Sequence, residues 1–422
     1  MSTSRSAQRC IAHYKPRVIR PRTTFRTIIP SVAHRSLTSH ATQKSTGRGR
    51  MNQSASDIFE PFLDSINNKT EPEPVQTLAE MLARVAVKDL FPSDEQLETF
   101  IKKKYIGIPI ENQKKIVSII LENLKADKEL TDEQSKEIIA LAEKPSELAA
   151  LGNIILRSSK FGAPIGLALY KCSMTQGDDR GAFSYANMLY RGYNGTPKDE
   201  MKAIEIMSKL AQKGHPYAQM NLAAILMRTQ PDKVESAIKL YSLAAKGGLD
   251  SAYMELGRMY RLGYGVHQDH NTAIDYFKKG AQAGNPQCNF MLGVYYSSGL
   301  GVESKEPDQA KAFKCFQKAA LKGLPEAQYN VGLRFLKGHG VESNPFNAAE
   351  FFRMAAMQGF QLAQINLAGM YIEGCGVKKD LDEARALLEK AIVKGGAIGK
   401  DAQKRLDELD NVKKDSSKCT VM

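Results

Sequence analysis

The chain has 422 residues, of which 42% are hydrophobic and 25% are charged, and its formal net charge is +13. Residues 1–50 contain eleven basic residues and no acidic one, so the other 48 basic residues face all 46 acidic ones. The rest of the chain therefore carries only +2, which argues against a broad basic surface that binds nucleic acid.

The first 50 residues are rich in Arg and Ser and contain no acidic residue. They resemble a mitochondrial presequence, whose positive charge responds to the membrane potential, and we expect them to be disordered. No apolar core of a secretory signal follows the first basic residues. The alternative is a disordered basic arm that binds RNA or acidic lipid.

Residues 51–75 contain three prolines among polar residues and are predicted to be a linker. Helical periodicity begins after them, and capping boxes at 93–96 and 131–134 indicate helix starts. We expect about four helices over 76–145 that cover the open end of the following domain as an N-terminal cap.

A repeat of about 36 residues occupies 146–396. Its copies align on a small residue, and the distances between the aligned positions are 36, 34, 36, 39 and 36 residues. A fixed period of this length indicates stacked supersecondary units that share one core. The aligned positions are Ala182, Ala218, Ala252, Cys288, Ala327 and Ala363.

Each copy predicts two amphipathic helices joined by a glycine-rich turn. The turns read GYGV, GLGV, GHGV and GCGV at 263–266, 299–302, 338–341 and 374–377. Gly257, Gly293 and Gly332 recur inside the first helix, where glycine costs about 1 kcal/mol relative to alanine. We therefore expect a neighbouring helix backbone to approach these glycines closely.

The consensus A-x-x-x-L-G-x-x-Y-x-x-G-x-G-V, followed by A-x-x-[YF]-[YF]-x-x-A-A-x-x-G, resembles the Sel1-like repeat family, a relative of the tetratricopeptide repeats. Residues 249–396 follow it closely, 181–248 less closely, and 146–180 mainly through Leu151-Gly152. The resemblance implies an all-α solenoid of about seven helix-turn-helix repeats. We expect a capping helix at 397–409 and a disordered tail at 410–422.

The last four residues, Cys419-Thr-Val-Met, fit the C-a-a-X farnesylation pattern. Fungal Sel1-like activators of chitin synthase also end in such a box. Farnesylated Cys419 would place the protein on the cytosolic face of a membrane, whereas the first 50 residues indicate the mitochondrial matrix or inner membrane. The two termini thus predict different compartments, and we expect the leader to prevail because one prenyl chain binds membranes only marginally.

No constellation of residues predicts catalysis, a metal site or a cofactor. His267 and His270 have no cysteine nearby and are expected in a solvated loop. Motifs of nucleotide binding and of serine hydrolases are absent from the sequence. The six cysteines show no CxxC spacing and depart from the disulfide pattern of some mitochondrial Sel1-like proteins. Cys288 and Cys315 stand at core-facing positions of one copy and are predicted to be buried free thiols. The sequence contains no run of about 18 apolar residues, so it predicts no membrane-spanning helix.

In this superfamily the first helices line a concave surface, and the resemblance directs attention to one position on them. Asparagine recurs there and two aromatic residues stand beside it, which suits an extended peptide. The alternative is that the asparagines bond a neighbouring turn. The candidate partner-binding residues are Asn221, Tyr253, Phe290, Asn330 and Asn366.

The resemblance implies a non-enzymatic scaffold that binds a client peptide or subunit in mitochondria. Respiratory-complex assembly and mitochondrial gene expression are the implied settings, and peripheral membrane association is compatible with both. The alternative is a farnesylated, membrane-tethered adaptor that activates an enzyme. RNA binding by helical repeats is disfavoured because the body of the chain is nearly neutral.

Overall fold

The computed structural model describes residues 78–192, 196–300 and 306–418. Within these ranges the chain forms nineteen α-helices, two short 3-10 helices and no β-strand. The predicted all-α repeat architecture is therefore confirmed. The predicted presequence at 1–50, the linker at 51–75 and Cys419 lie outside the described residues.

The chain divides into two compact units, one spanning Arg50–Leu256 and the other containing Gly257–Met422. The helices of the first unit are α1 (Leu78–Leu82), α2 (Asp94–Lys102), α3 (Ile110–Lys125), α4 (Asp132–Ala142), α5 (Pro145–Ser158), α6 (Gly162–Thr175), α7 (Asp179–Arg191), α8 (Glu200–Gln212), α9 (Pro216–Thr229) and α10 (Val234–Lys246). The boundary between the units falls inside α11 (Asp250–Leu262). The second unit continues with α12 (His270–Gln282), α13 (Pro286–Ser298), α14 (Gln309–Leu321), α15 (Pro325–Lys337), α16 (Pro345–Met357), α17 (Gln361–Glu373), α18 (Leu381–Val393) and α19 (Gly396–Lys418).

The helices before the repeats share a core with the first helix pair. Leu82 of α1 and Ile116 of α3 belong to one buried cluster with Ile155 of α5 and Leu169 of α6, and all four side chains have no exposed surface. Four fully buried aliphatic side chains each contribute roughly 1.5–3 kcal/mol of transfer free energy. Helices α1–α4 thus cover the apolar face that α5 and α6 would otherwise expose.

The recurrent glycine of the first helix lies against an aromatic ring. A Cβ placed at Gly293 or Gly332 would come within 2.8 and 2.7 Å of the rings of Phe316 and Phe352, and one at Gly257 would overlap Phe277. We expected a helix backbone at this position, and the nearest atoms are instead those of a side chain from the second helix of the same repeat; at Gly332 the Ala348 carbonyl of that helix is also 3.2 Å from the placed Cβ. The ring needs the flat surface that only glycine leaves on a helix.

The same packing identifies 146–180 as a repeat in structure. Helices α5 and α6 form its pair, and a Cβ at Gly152 would approach the Tyr170 ring to 2.7 Å. The Tyr170 hydroxyl donates to Asn153 Oδ1 at 2.6 Å, so its polar end is also satisfied. The glycine and aromatic pair is therefore present even where the rest of the consensus has diverged.

A second recurring contact closes the turn inside five of the repeats. The residue before the second helix donates its backbone N–H to a carbonyl near the end of the first helix, at 2.8–3.0 Å, and its side chain accepts from amides in the first turn of the second helix. The two helices are thus joined at their turn by a cap that serves both. These cap residues are Asp199, Asp269, Asp308, Asn344 and Asp380.

The C-terminal helix is longer than the sequence predicted. We expected it to end at residue 409, but α19 continues to Lys418, so 410–418 are helical rather than disordered. Leu406 and Leu409 are buried, and Asp410 forms an ion pair with Arg385 of α18. This pair anchors the extra turns, and the stretch contains neither Gly nor Pro to stop a helix.

The contact between Gly293 and Phe316 predicts how the substitution Gly293→Ala changes the stability of the fold. Helix propensity alone would make Gly293→Ala stabilising by about 1 kcal/mol. The added Cβ must displace the Phe316 ring, so we expect a net destabilisation of about 1–2 kcal/mol from overpacking. Urea denaturation followed by circular dichroism measures this sign directly.

The matched control uses a pair that the chain already carries. At the corresponding positions of the last repeat Ala368 stands with Leu388, and both are fully buried. The double variant Gly293→Ala/Phe316→Leu should therefore lose less unfolding free energy than the two single variants lose together, by about 1 kcal/mol or more. Strict additivity would show that the Phe316 ring is not what excludes a side chain at Gly293.

Candidate partner-binding groove

An open groove of about 640 Å³ lies in the second unit between α16, the end of α17 and the turn that follows α17. Its lining combines exposed apolar groups with charged ones and contains no buried nucleophile. Such a mixture suits recognition of a protein segment rather than catalysis. The lining residues are Phe346, Glu350, Arg353, Tyr371, Gly374, Gly376, Val377 and Lys378.

The GCGV turn forms one wall of the groove. Gly374 takes φ +70° and ends α17 in the left-handed conformation. Gly376 also has φ +70° and lies so close to the Pro345 backbone that a Cβ would overlap it. The Asp380 amide donates to the Tyr371 carbonyl at 3.0 Å, so this wall is held at both ends.

The opposite wall is one face of α16. Phe346, Glu350 and Arg353 stand at i, i+4 and i+7 and therefore share that face. Arg353 pairs with Glu350 and donates to Tyr371 Oη at 3.1 Å. The hydrogen bond that Arg353 donates to Glu350, and then the one that it donates to Tyr371, hold the pKa of Arg353 above its ordinary value. The guanidinium is thus charged and fixed in direction.

Phe346 is the apolar feature of this surface. Its side chain is 63% exposed although it is a large hydrophobic group. The preceding repeat carries Ala310, Lys314 and Gln317 at the positions of Phe346, Glu350 and Arg353. The preceding repeat therefore folds without this combination of side chains, which the fold does not require.

Two of the predicted asparagines form hydrogen bonds within the repeats. Asn330 Nδ2 donates to the Glu326 carbonyl of its own helix at 2.7 Å. Asn366 is fully buried, and its Nδ2 donates to Tyr329 Oη at 3.3 Å. The buried Asn366 is therefore not accessible to a client in this structure and fits the structural alternative, whereas the half-buried Asn330 stays a candidate.

The other three candidate residues are all at least half-buried. Phe290 is half-buried, with its ring centroid 5.4 Å from that of Phe316 in an edge-to-face contact. Asn221 is only 9% exposed and Tyr253 is half-buried, and both belong to the first unit. The candidate lipidation residue, Cys419, lies beyond the described residues.

A buried glutamine that the sequence analysis overlooked occupies the position after the aligned alanine. Gln219, Gln328 and Gln364 are at most 4% exposed, and each donates to a carbonyl at the end of the preceding second helix. The donor–acceptor distances are 3.1 Å for Gln219 and 3.3 Å for the other two. These bonds satisfy orphan helix-end carbonyls and join successive repeats. The Ala-Gln pair at 218–219, 327–328 and 363–364 was the available signal.

A buried arginine makes a further connection between repeats. Arg334 of α15 donates to Gln309 Oε1 at 2.9 Å and to the His339 carbonyl at 3.3 Å, and it also contacts Ser297. Its guanidinium lies 4.9 Å from the Phe316 ring centroid, and burial lowers its pKa to about 10. It remains charged at neutral pH and works as a structural donor.

The described part of the chain offers no built metal site, since none of its His, Cys, Asp and Glu side chains cluster in threes. His267 is exposed, as expected for a loop, whereas His270 Nδ1 lies 3.0 Å from Tyr295 Oη. Asp269 between them accepts from the Asn271 amide at 2.9 Å as a helix cap.

The four described cysteines are free, as the sequence predicted for Cys288 and Cys315. Burial raises the pKa of the Cys172 and Cys315 thiols, which makes them poor nucleophiles. Over the same described residues, no helix is both long and apolar enough to cross a bilayer.

Comparisons with known proteins agree with this architecture. The Sel1 repeat family profile matches six successive segments, 180–215, 216–249, 250–285, 286–324, 325–360 and 361–395. The predicted copy at 146–180 is not among them, although its helices pack like the others. An uncharacterised protein of Neisseria meningitidis is 28% identical over 144 residues, which are 34% of this chain and 29% of that protein. Human sel-1 homolog 2 is 34% identical over 107 residues, 25% of this chain and 16% of that protein.

Solved structures show the same fold. A Sel1 repeat protein from Oxalobacter formigenes aligns with a TM-score of 0.54 and 25% identity over 80% of this chain and 97% of its own. A protective antigen of uropathogenic Escherichia coli aligns with a TM-score of 0.51 and 24% identity, over 83% and 79%. Sel1 repeat proteins are generally non-enzymatic interaction scaffolds. Because the six matched segments together exceed half of its residues, this chain belongs to the Sel1 repeat family.

Proposed function

We propose that this protein is a mitochondrial scaffold that binds a segment of a client protein in the groove between α16 and the turn after α17. The observation that carries the proposal is the exposed Phe346 beside the fixed Arg353–Tyr371 pair. Large apolar side chains near oriented arginine and tyrosine groups are typical of the residues that dominate interface energy. Assembly of a respiratory complex and mitochondrial gene expression are the settings that we propose for it.

The groove favours one kind of client segment. Phe346 and Val377 offer contact area for an apolar side chain, while Lys378 is exposed at the rim and can pair with a carboxylate. Glu350 already neutralises the charge of Arg353, so the groove's preference for an acidic client residue comes from Lys378. We infer a client that presents an apolar side chain followed by an acidic one.

The N-terminal residues support the proposed compartment. Eleven positive charges and no negative one within 1–50 fit import driven by the membrane potential. The second candidate is a membrane-tethered adaptor of an enzyme, favoured by Cys419-Thr-Val-Met directly after α19, which ends at Lys418. The solenoid fold suits both the scaffold and the adaptor role, so the compartment in which the protein is found distinguishes the two.

Phe346→Ala should weaken client binding without harming the fold. An exposed anchor residue contributes about 1.4 kcal/mol or more, which corresponds to about tenfold in affinity. We expect about tenfold less client to copurify from mitochondria, with an unchanged melting temperature because the side chain is 63% exposed. Leu300→Ala, at a 50% exposed residue of another turn, is the matched control and should retain the client. An equal loss of copurified client from both variants would contradict client binding in the groove.

Removal of residues 1–50 should leave the protein in the cytosol, because the import signal is lost. Cys419→Ser should change neither location nor function, because the leader acts before a single prenyl chain can hold the protein at a membrane. Fluorescence imaging with an internal tag and intact-mass measurement of the purified protein test both statements. A farnesyl group on Cys419 together with an uncleaved N-terminus would contradict mitochondrial import and establish the tethered adaptor.

A further inference from the structure

Three exposed apolar side chains recur at one position in the last three repeats. Leu321, Met357 and Val393 are the final residues of α14, α16 and α18 and are 72%, 83% and 86% exposed. Each is followed two residues later by a glycine with φ between +66° and +89°, so the three chain corners have the same conformation. The side chains therefore project from equivalent sites.

Hydrogen bonds between the corners show that they are neighbours. Gln358 Nε2 donates to the Gly323 carbonyl at 2.9 Å, which joins the second corner to the first. Lys394 Nζ donates to the Gly359 carbonyl at 2.7 Å and joins the third to the second. The three apolar side chains thus form one row along the edge of three stacked repeats, which we call the corner row.

The fold does not require apolar residues at these sites. The three preceding repeats carry Gln212, Lys246 and Gln282 at the equivalent position, and these are also exposed. The apolar character is confined to the last three repeats. A row of this kind on a soluble surface indicates contact with an apolar phase or partner.

Lysines surround the corner row. Lys318, Lys322, Lys390 and Lys394 lie within three residues of Leu321 or Val393, and all are exposed. Glu389, four residues before Val393 on α18, is an exposed acidic residue near these lysines. Long lysine side chains beside apolar tips can keep their charge in water while the tips enter an apolar layer.

We propose that the corner row is a membrane-binding edge, in which Leu321, Met357 and Val393 enter the interfacial region of an anionic lipid surface. Their high exposure favours a lipid surface over a protein as the partner. Anchor residues of protein interfaces lie in well-packed pockets, whereas these side chains protrude from the chain corners. The flanking lysines match the charge of acidic headgroups. Met357 follows Arg353 by one turn on α16, but none of the three corner-row residues lines the groove, so the inference does not depend on the proposed client.

The test is binding of the full chain to vesicles of phosphatidylcholine alone or mixed with phosphatidylserine, measured by flotation. The triple variant Leu321→Gln/Met357→Gln/Val393→Gln installs the glutamine of the earlier repeats. We expect its partition to mixed vesicles to fall about tenfold, since three interfacial apolar groups are lost. Residues 1–50 are present in both proteins, so the difference reports on the corner row alone.

Two further variants sharpen the result. Met201→Gln changes an apolar residue that is 81% exposed but lies outside the corner row, and it should bind vesicles like the parent. Lys318→Gln/Lys322→Gln/Lys390→Gln should weaken binding to mixed vesicles and reduce its dependence on salt. Equal partition of parent and triple variant would overturn the proposal. So would unchanged vesicle binding together with loss of binding to an acidic amphipathic peptide, which would make the corner row a protein-docking site.

Discussion

The repeats depend on a close contact between a small residue on the first helix and a large side chain on the second, which in four repeats is a glycine against an aromatic ring. It brings the two helices close enough to share a turn capped by a single Asp or Asn. Because this contact lies inside the repeat, it leaves the outer positions of both helices free to vary. Buried glutamines such as Gln328 and the buried Arg334 then join one repeat to the next.

Function can therefore diverge from repeat to repeat without loss of the fold. Phe346 and Arg353 line the groove in which we propose that a client segment binds, whereas the preceding repeat carries Ala310 and Gln317 at these positions. Leu321, Met357 and Val393 give the last three repeats an apolar edge where earlier ones are polar. A scaffold that holds a client near a membrane would need both surfaces.

The periodicity predicted the helix pairs and the turns because buried small and aromatic residues must recur at helical spacing. It could not place the site. Asn366 has the polarity of a binding residue, but its burial against Tyr329 depends on a residue 37 positions earlier, which no local pattern displays. The helix at 410–418 was missed because its anchor, the pair between Asp410 and Arg385, is a tertiary contact.

The central claim is that a client binds beside Phe346 and not at the equivalent position of the preceding repeat, and photo-crosslinking tests it most directly. A benzophenone side chain replaces Phe346 in one variant and Ala310, the equivalent position of the preceding repeat, in the other. In intact mitochondria we expect a discrete protein adduct from position 346 and none from position 310. Equal labelling from both positions, or labelling only from position 310, would contradict the account.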